Sequence, residues 1–116
     1  YCTFVVYLGA LDIAMTALTV TESDTAGSGH ANVTGLIFGT STNTGGSTST
    51  LPSATDDNKF FICQIDLRPR KRYLDFTLTG GDGATGTYLT AWVELERGEI
   101  VPDTAAEQGA SQILRV

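Results

Sequence analysis

The feature that most constrains this chain is a two-residue alternation of apolar and polar side chains that recurs along it. In residues 73–79, Leu74, Phe76 and Leu78 alternate with polar or aromatic neighbours. Successive side chains of a strand point to opposite faces, so this pattern predicts a half-buried β-strand. Related patterns predict strands at residues 1–8, 17–22, 32–38, 59–67 and 87–96.

The order of these segments indicates an all-β fold. No stretch before Pro102 follows a helical period, and Gly, Asp and Ser turns separate the strands. We therefore predict a single-domain antiparallel β-sandwich or jelly-roll-like barrel over residues 1–101. Residues 102–116 are predicted to form a C-terminal arm, with a short helix from Asp103 through Gln108.

The end of the arm is apolar, whereas an unanchored terminus is normally polar. We expect it to pack on its own sheet or on a neighbouring subunit, and it supplies candidate interface residues: Ile113, Leu114 and Val116.

Residues 59–67 (KFFICQIDL) carry apolar side chains on both faces. This is typical of a central strand in a sandwich, or of a strand covered by a partner. Cys63 lies in this strand and Cys2 lies in the first one, each among large apolar residues. We expect two buried thiols. A disulfide between them is the alternative if the two strands are neighbours.

Residues 40–50 (TSTNTGGSTST) contain no apolar and no charged side chain. The segment is predicted to be the most exposed loop, because it offers nothing to a core. Loop-closure entropy varies slowly with length, so shortening this loop is expected to cost little stability.

The net charge of −6 disfavours binding to nucleic acid, because affinity for phosphate comes from Lys and Arg. Four cations nevertheless lie within five residues. This cluster is either a solvated turn or a docking patch for an acidic subunit, and it supplies further candidate interface residues: Arg68, Arg70, Lys71 and Arg72.

Catalytic patterns are weak. His30 lies among glycines with no nucleophile motif, and Glu94 and Glu96 on one strand face are typical of a polar surface. Neither cysteine has the spacing of a zinc ligand, and no apolar run is long enough to cross a bilayer. We expect no enzyme, no cofactor, no metal and no membrane partner.

Three stretches carry a family resemblance: residues 17–24 (ALTVTESD), 51–73 (LPSATDDNKFFICQIDLRPRKRY) and 86–116 (GTYLTAWVELERGEIVPDTAAEQGASQILRV). They resemble the capsid decoration, or cement, proteins of tailed bacteriophages. The resemblance implies a structural virion protein that binds the major capsid protein on the outer surface of the phage head. It also implies a homotrimer at three-fold and quasi-three-fold positions.

A rival interpretation is a carbohydrate-binding β-sandwich of a phage tail or cell surface. Tyr88 and Trp92 lie on one face of the last long strand, where they would form a stacking platform for sugar rings.

Overall fold

The computed structural model describes residues 1–81, 83–96, 105–106 and 109–116. Within these ranges the chain is all-β and has no α-helix, which confirms the predicted fold class. The six predicted strands form, with no end displaced by more than three residues, and a seventh follows near the C-terminus. The strands are β1 (Cys2–Leu11), β2 (Ala17–Ser23), β3 (Ala31–Ile37), β4 (Phe60–Ile65), β5 (Tyr73–Thr79), β6 (Thr87–Leu95) and β7 (Gln112–Arg115).

The strands form two packed sheets, a β-sandwich. The large sheet has the order β6-β1-β4-β7 and the small sheet has the order β3-β2-β5. All pairings among the described strands are antiparallel except that of β4 with β7, which is parallel. The predicted antiparallel sandwich is therefore confirmed, with one parallel pair that the sequence pattern did not indicate.

The main core lies between the two sheets. β1, β2 and β4 bury in it the apolar faces that alternation predicted. Fully buried examples from the large sheet are Val6, Leu8 and Phe61, and examples from the small sheet are Leu18 and Val20.

A second, smaller core covers the outer face of the large sheet. Val5, Ile62 and Ile113 are buried there, and Ala105 and Ala110 pack over them. This explains why β4 is apolar on both faces: it is a central strand whose outer face is covered by the chain's own later residues.

The C-terminal residues belong to the large sheet. β7 pairs with β4, and Ile113 and Leu114 are fully buried. Val116 packs against β3 so closely that a Cβ on Gly35 would lie 2.6 Å from its Cγ1. The arm was predicted to pack either on its own sheet or on a neighbouring subunit, and these residues pack on their own sheet. The predicted domain boundary after residue 101 and most of the predicted helix at 103–108 lie outside the described residues.

The two sheets differ in width, and β6 projects beyond the small sheet. β3 lies next to β7 at one side of the sandwich. At the other side β5 faces β1, where the rings of Phe4 and Phe76 are 4.9 Å apart. β6 is the next strand of the large sheet beyond β1. The inward side chains of its C-terminal half, Val93 and Leu95, are exposed, so no described strand of the small sheet covers them.

The loop at residues 40–50 is more ordered than its composition suggests. Ser41 and Ser49 are buried, and their hydroxyls accept hydrogen bonds from the backbone N–H groups of Ile37 (3.0 Å) and Gly39 (3.1 Å). The tip of the loop is exposed. The prediction that the loop contributes nothing to the interior is therefore wrong for these two serines, which satisfy backbone donors at the end of β3.

Candidate interaction surfaces

The basic corner, residues 68–72, is largely neutralised within the chain. The Arg68 guanidinium donates hydrogen bonds to both carboxylate oxygens of Asp66. Arg70 lies 3.6 Å from a carboxylate oxygen of Glu22, and the Lys71 ammonium lies 3.8 Å from one of Asp24. The pairing of β2 with β5 brings Glu22 and Asp24 to the corner, whereas Asp66 lies two residues before Arg68 in the chain.

Arg72 is the exception in the basic corner. It is exposed, and its described contact is with the ring of Tyr73, 5.4 Å from the ring centroid. No carboxylate partner of Arg72 occurs among the described residues. Arg72 therefore has the positive charge most available to an external acidic group.

Asp66 has the clearest electrostatic perturbation on the surface. Hydrogen bonds from the side chain and backbone of Arg68 lower the pKa of the Asp66 carboxyl to about 2. Arg68 is exposed and Asp66 is half-buried, so solvent screens much of the interaction. The pair fixes the geometry of the turn after β4 more than it stabilises the fold.

The C-terminal candidates are placed differently. Ile113 and Leu114 are covered by the chain's own sheets, and Val116 is half-buried against the main core. The two buried side chains would reach a partner only if β7 left its sheet. Among the seven predicted interface residues, exposure therefore favours Arg72 over Ile113 and Leu114.

An aromatic surface, formed by Tyr7, Phe60, Tyr88 and Trp92, lies on the outer face of the large sheet. Tyr88 is 63% exposed and Trp92 is 39% exposed. The rings of Phe60 and Trp92 meet edge to face at 6.3 Å, and the Trp92 indole N–H donates to Glu94 at 2.9 Å. A recess of about 290 Å³ lies between Tyr7 and Tyr88. These features give one flat face with both apolar rings and polar groups.

The inner face of β6 is a second apolar surface, which we call the overhang: Leu89, Ala91, Val93 and Leu95. Val93 is 49% exposed and Leu95 is 78% exposed, while Leu89 is partly covered by the main core. β6 thus carries four of the large apolar or aromatic side chains that are exposed in the described chain, distributed over both of its faces. The sequence pattern predicted that these side chains share one face of β6, but it did not predict that they are exposed, because exposure depends on the width of the opposite sheet.

The two thiols are buried, as predicted, and they are not bonded to each other, so the disulfide left open by the sequence does not form. β1 and β4 are neighbours, yet Cys2 is opposite Ile65 and Cys63 is opposite Phe4. Burial raises the pKa of the Cys63 thiol far above its usual range, and burial also raises that of Cys2. A thiol that resists ionisation is a poor nucleophile, so both cysteines act as core residues.

His30 contacts one carboxylate: its Nδ1 lies 3.2 Å from an oxygen of Asp75. This contact joins the start of β3 to β5 across the small sheet. In the described part of the chain, no three His, Cys, Asp or Glu side chains are grouped closely enough to hold a metal ion. The described residues also include no helix of the length and apolarity needed to cross a membrane.

Comparison with known proteins gives no relative. No protein-family model, no curated protein and no solved structure matches this chain.

Proposed function

We propose that this chain is a structural virion protein that binds the outer surface of a tailed-phage capsid and stabilises it, as a homotrimer bound to the major capsid protein. The observation that carries the proposal is the exposure of β6. An edge strand with apolar side chains free on both faces is a surface that a monomer normally protects. The family resemblance of three sequence stretches supplies the capsid as the partner.

The shape of the molecule supports a binding role. The exposed apolar groups are spread over strands of a flat sheet instead of lining a deep cleft, and flat surfaces suit contacts with other proteins. Many identical copies on one shell would add their contacts, so even modest interfaces would stiffen the particle.

The basic corner contributes to this proposal through Arg72. An acidic shell would be attracted by this charge, whereas Arg68 already has Asp66 as its partner. We expect Arg72→Gln to weaken attachment by roughly tenfold at low salt, as loss of a well-formed charge pair does. We expect Arg68→Gln, the matched control in the same corner, to change it little.

The test uses shells assembled from the major capsid protein encoded in the same genome. The purified chain is mixed with these shells and sedimented through a sucrose gradient, and bound copies are counted from the shell fraction. Saturable binding and a raised disruption temperature of the shells are expected. Absence of binding at low salt would refute the proposed function.

A second candidate function is carbohydrate binding, which the exposure of Tyr88 and Trp92 favours. Stacking on sugar rings requires such accessible aromatic faces. The chain has one tryptophan, so its fluorescence reports on this surface alone. A saturable fluorescence change on titration with host surface polysaccharide, lost in Tyr88→Ala, would favour this candidate.

A further inference from the structure

The overhang leaves one position of the sandwich open. Four strands of the large sheet face three of the small sheet. β5 faces β1, so a strand added at the free edge of β5 would lie opposite β6 and cover Val93 and Leu95. The inward side chains of β5 are themselves only half-buried: Leu74, Phe76 and Leu78.

The backbone of β6 is suited to a strand partner. Tyr1 and Glu96 exchange both of their backbone hydrogen bonds, at 3.0 and 3.1 Å. In an antiparallel ladder such pairs recur at every second residue. The N–H and C=O groups of Leu89, Ala91, Val93 and Leu95 therefore point away from β1. Among the described residues, no strand forms hydrogen bonds with these groups. β6 also has no proline or bulge along this stretch that would block pairing.

The charges at the two free edges are complementary. The C-terminal end of β6 carries Glu94 and Glu96, both exposed. The N-terminal end of β5 follows Lys71 and Arg72, also exposed. Antiparallel contact between β6 of one copy and β5 of another would bring these ends together, whereas parallel contact would separate them.

We propose that a second copy of this chain occupies the open position, with β6 of one copy added antiparallel to the free edge of β5 in the next. The proposal rests on the homotrimer of the proposed function and names its interface.

One register pairs three of the four overhang side chains with the inward side chains of β5 and also sets opposite charges against each other; the fourth, Leu95, lies opposite Arg72. It places Val93 opposite Leu74, Ala91 opposite Phe76 and Leu89 opposite Leu78. On the other face it places Glu96 opposite Lys71. A shift by two residues in one direction would set Glu94 against Asp75, and like charges directly opposite each other destabilise a sheet. A shift by two residues in the other direction would set Val93 against Arg72 and lose an apolar pair.

This contact is head-to-tail, because each copy gives β6 on one side and receives a strand at β5 on the other. Head-to-tail contacts form a ring when the rotation between copies closes, and an open filament when it does not. A ring of three satisfies every free edge of this kind, whereas pairing of β6 with β6 of a second copy would stop at a dimer. It would also keep Glu96 of one copy away from the Lys71–Arg72 end of the other.

The experiment measures the mass of the purified chain by sedimentation equilibrium, with circular dichroism as the check on folding. The wild-type chain is expected to be a trimer. Val93→Lys, on the overhang, should weaken association by more than about 100-fold, since each 1.4 kcal/mol lost is tenfold. Ile13→Lys is the matched control, because Ile13 is 44% exposed but lies outside the overhang. If Val93→Lys does not fold, Leu95→Lys replaces it, at a position that is 78% exposed.

Two charge variants test the pairing itself. Glu96→Lys and Lys71→Glu should each weaken the trimer, and the chain carrying both substitutions should recover it. The head-to-tail contact would be overturned if the double variant failed to recover the trimer. It would also be overturned if the wild-type chain were a monomer, or if it were a dimer that Val93→Lys weakens and Lys71→Glu does not.

Capsid binding is measured separately, so the two proposals fail in different ways. A trimer that does not bind shells would refute the proposed function and leave this interface standing. A monomer that binds shells would refute this interface and leave the proposed function standing.

Discussion

Leu114 and Leu95 form a matched pair that separates a structural role of the C-terminus from an interface role. Leu114 is fully buried in the main core, whereas Leu95 is 78% exposed at the end of β6. The same substitution, leucine to alanine, removes the same atoms from both places. Only the environment differs, so the difference between the two variants measures burial.

We expect Leu114→Ala to lower the free energy of unfolding by about 2–5 kcal/mol, the cost of a cavity left by a buried leucine. A domain of this size has roughly 5–15 kcal/mol in total, so the loss is a large fraction. Leu95→Ala should cost less than about 0.5 kcal/mol in the dissociated chain, as surface changes do.

The measurement is urea unfolding at low protein concentration, followed by the fluorescence of Trp92. With a slope of about 1.5 kcal/mol per molar urea, the midpoint for Leu114→Ala should fall by roughly 1–3 M. An unchanged midpoint for Leu114→Ala, with loss of trimers instead, would refute the structural role of β7. It would show that the C-terminal residues act as an interface arm.

Three further predictions follow from the core, the surface and the loop. The raised pKa of Cys63 means that the unfolded chain loses this proton near pH 9 while the folded chain keeps it; the contribution of this thiol to stability should therefore be constant below about pH 9 and fall above it. The fall in the free energy of unfolding above pH 9, measured by urea unfolding at each pH, should be smaller in Cys63→Ala. NMR titration should give Asp66 a pKa of about 2, which returns toward the ordinary range in Arg68→Gln. Ser49→Ala should cost about 1–3 kcal/mol by orphaning a backbone N–H, while Ser47→Ala, at the exposed loop tip, should stay within about 0.5 kcal/mol; equal effects in thermal melts would contradict the anchoring role of this loop.

The strands could be predicted from the sequence because their signal is local. Alternation along residues 73–79 or 87–96 depends on neighbours two positions apart, and burial of one face follows from it. β7 lacked such a signal. Its four residues are too few to show a period, and only the parallel pairing with β4 makes them a strand.

The candidate surfaces depended on contacts that sequence spacing does not show. The basic cluster is evident along the chain, but Glu22 and Asp24 reach it only because β2 pairs with β5. The same limit applies to β6. Its alternation resembles that of any half-buried strand, and its exposure follows from a small sheet that has one strand fewer.

The order of strands also sets how the chain folds. Among the described pairings, only β2 with β3 joins strands that are consecutive in the chain. β1 must wait for β4 and β6, and β4 receives its last neighbour from residues near the C-terminus. In sheets assembled from such distant segments, the entropy of closing long loops is lost before the stabilising contacts form. Refolding is therefore expected to take milliseconds to seconds. During synthesis, the large sheet would stay incomplete until β7 leaves the ribosome, and β4 would expose a free apolar edge until then.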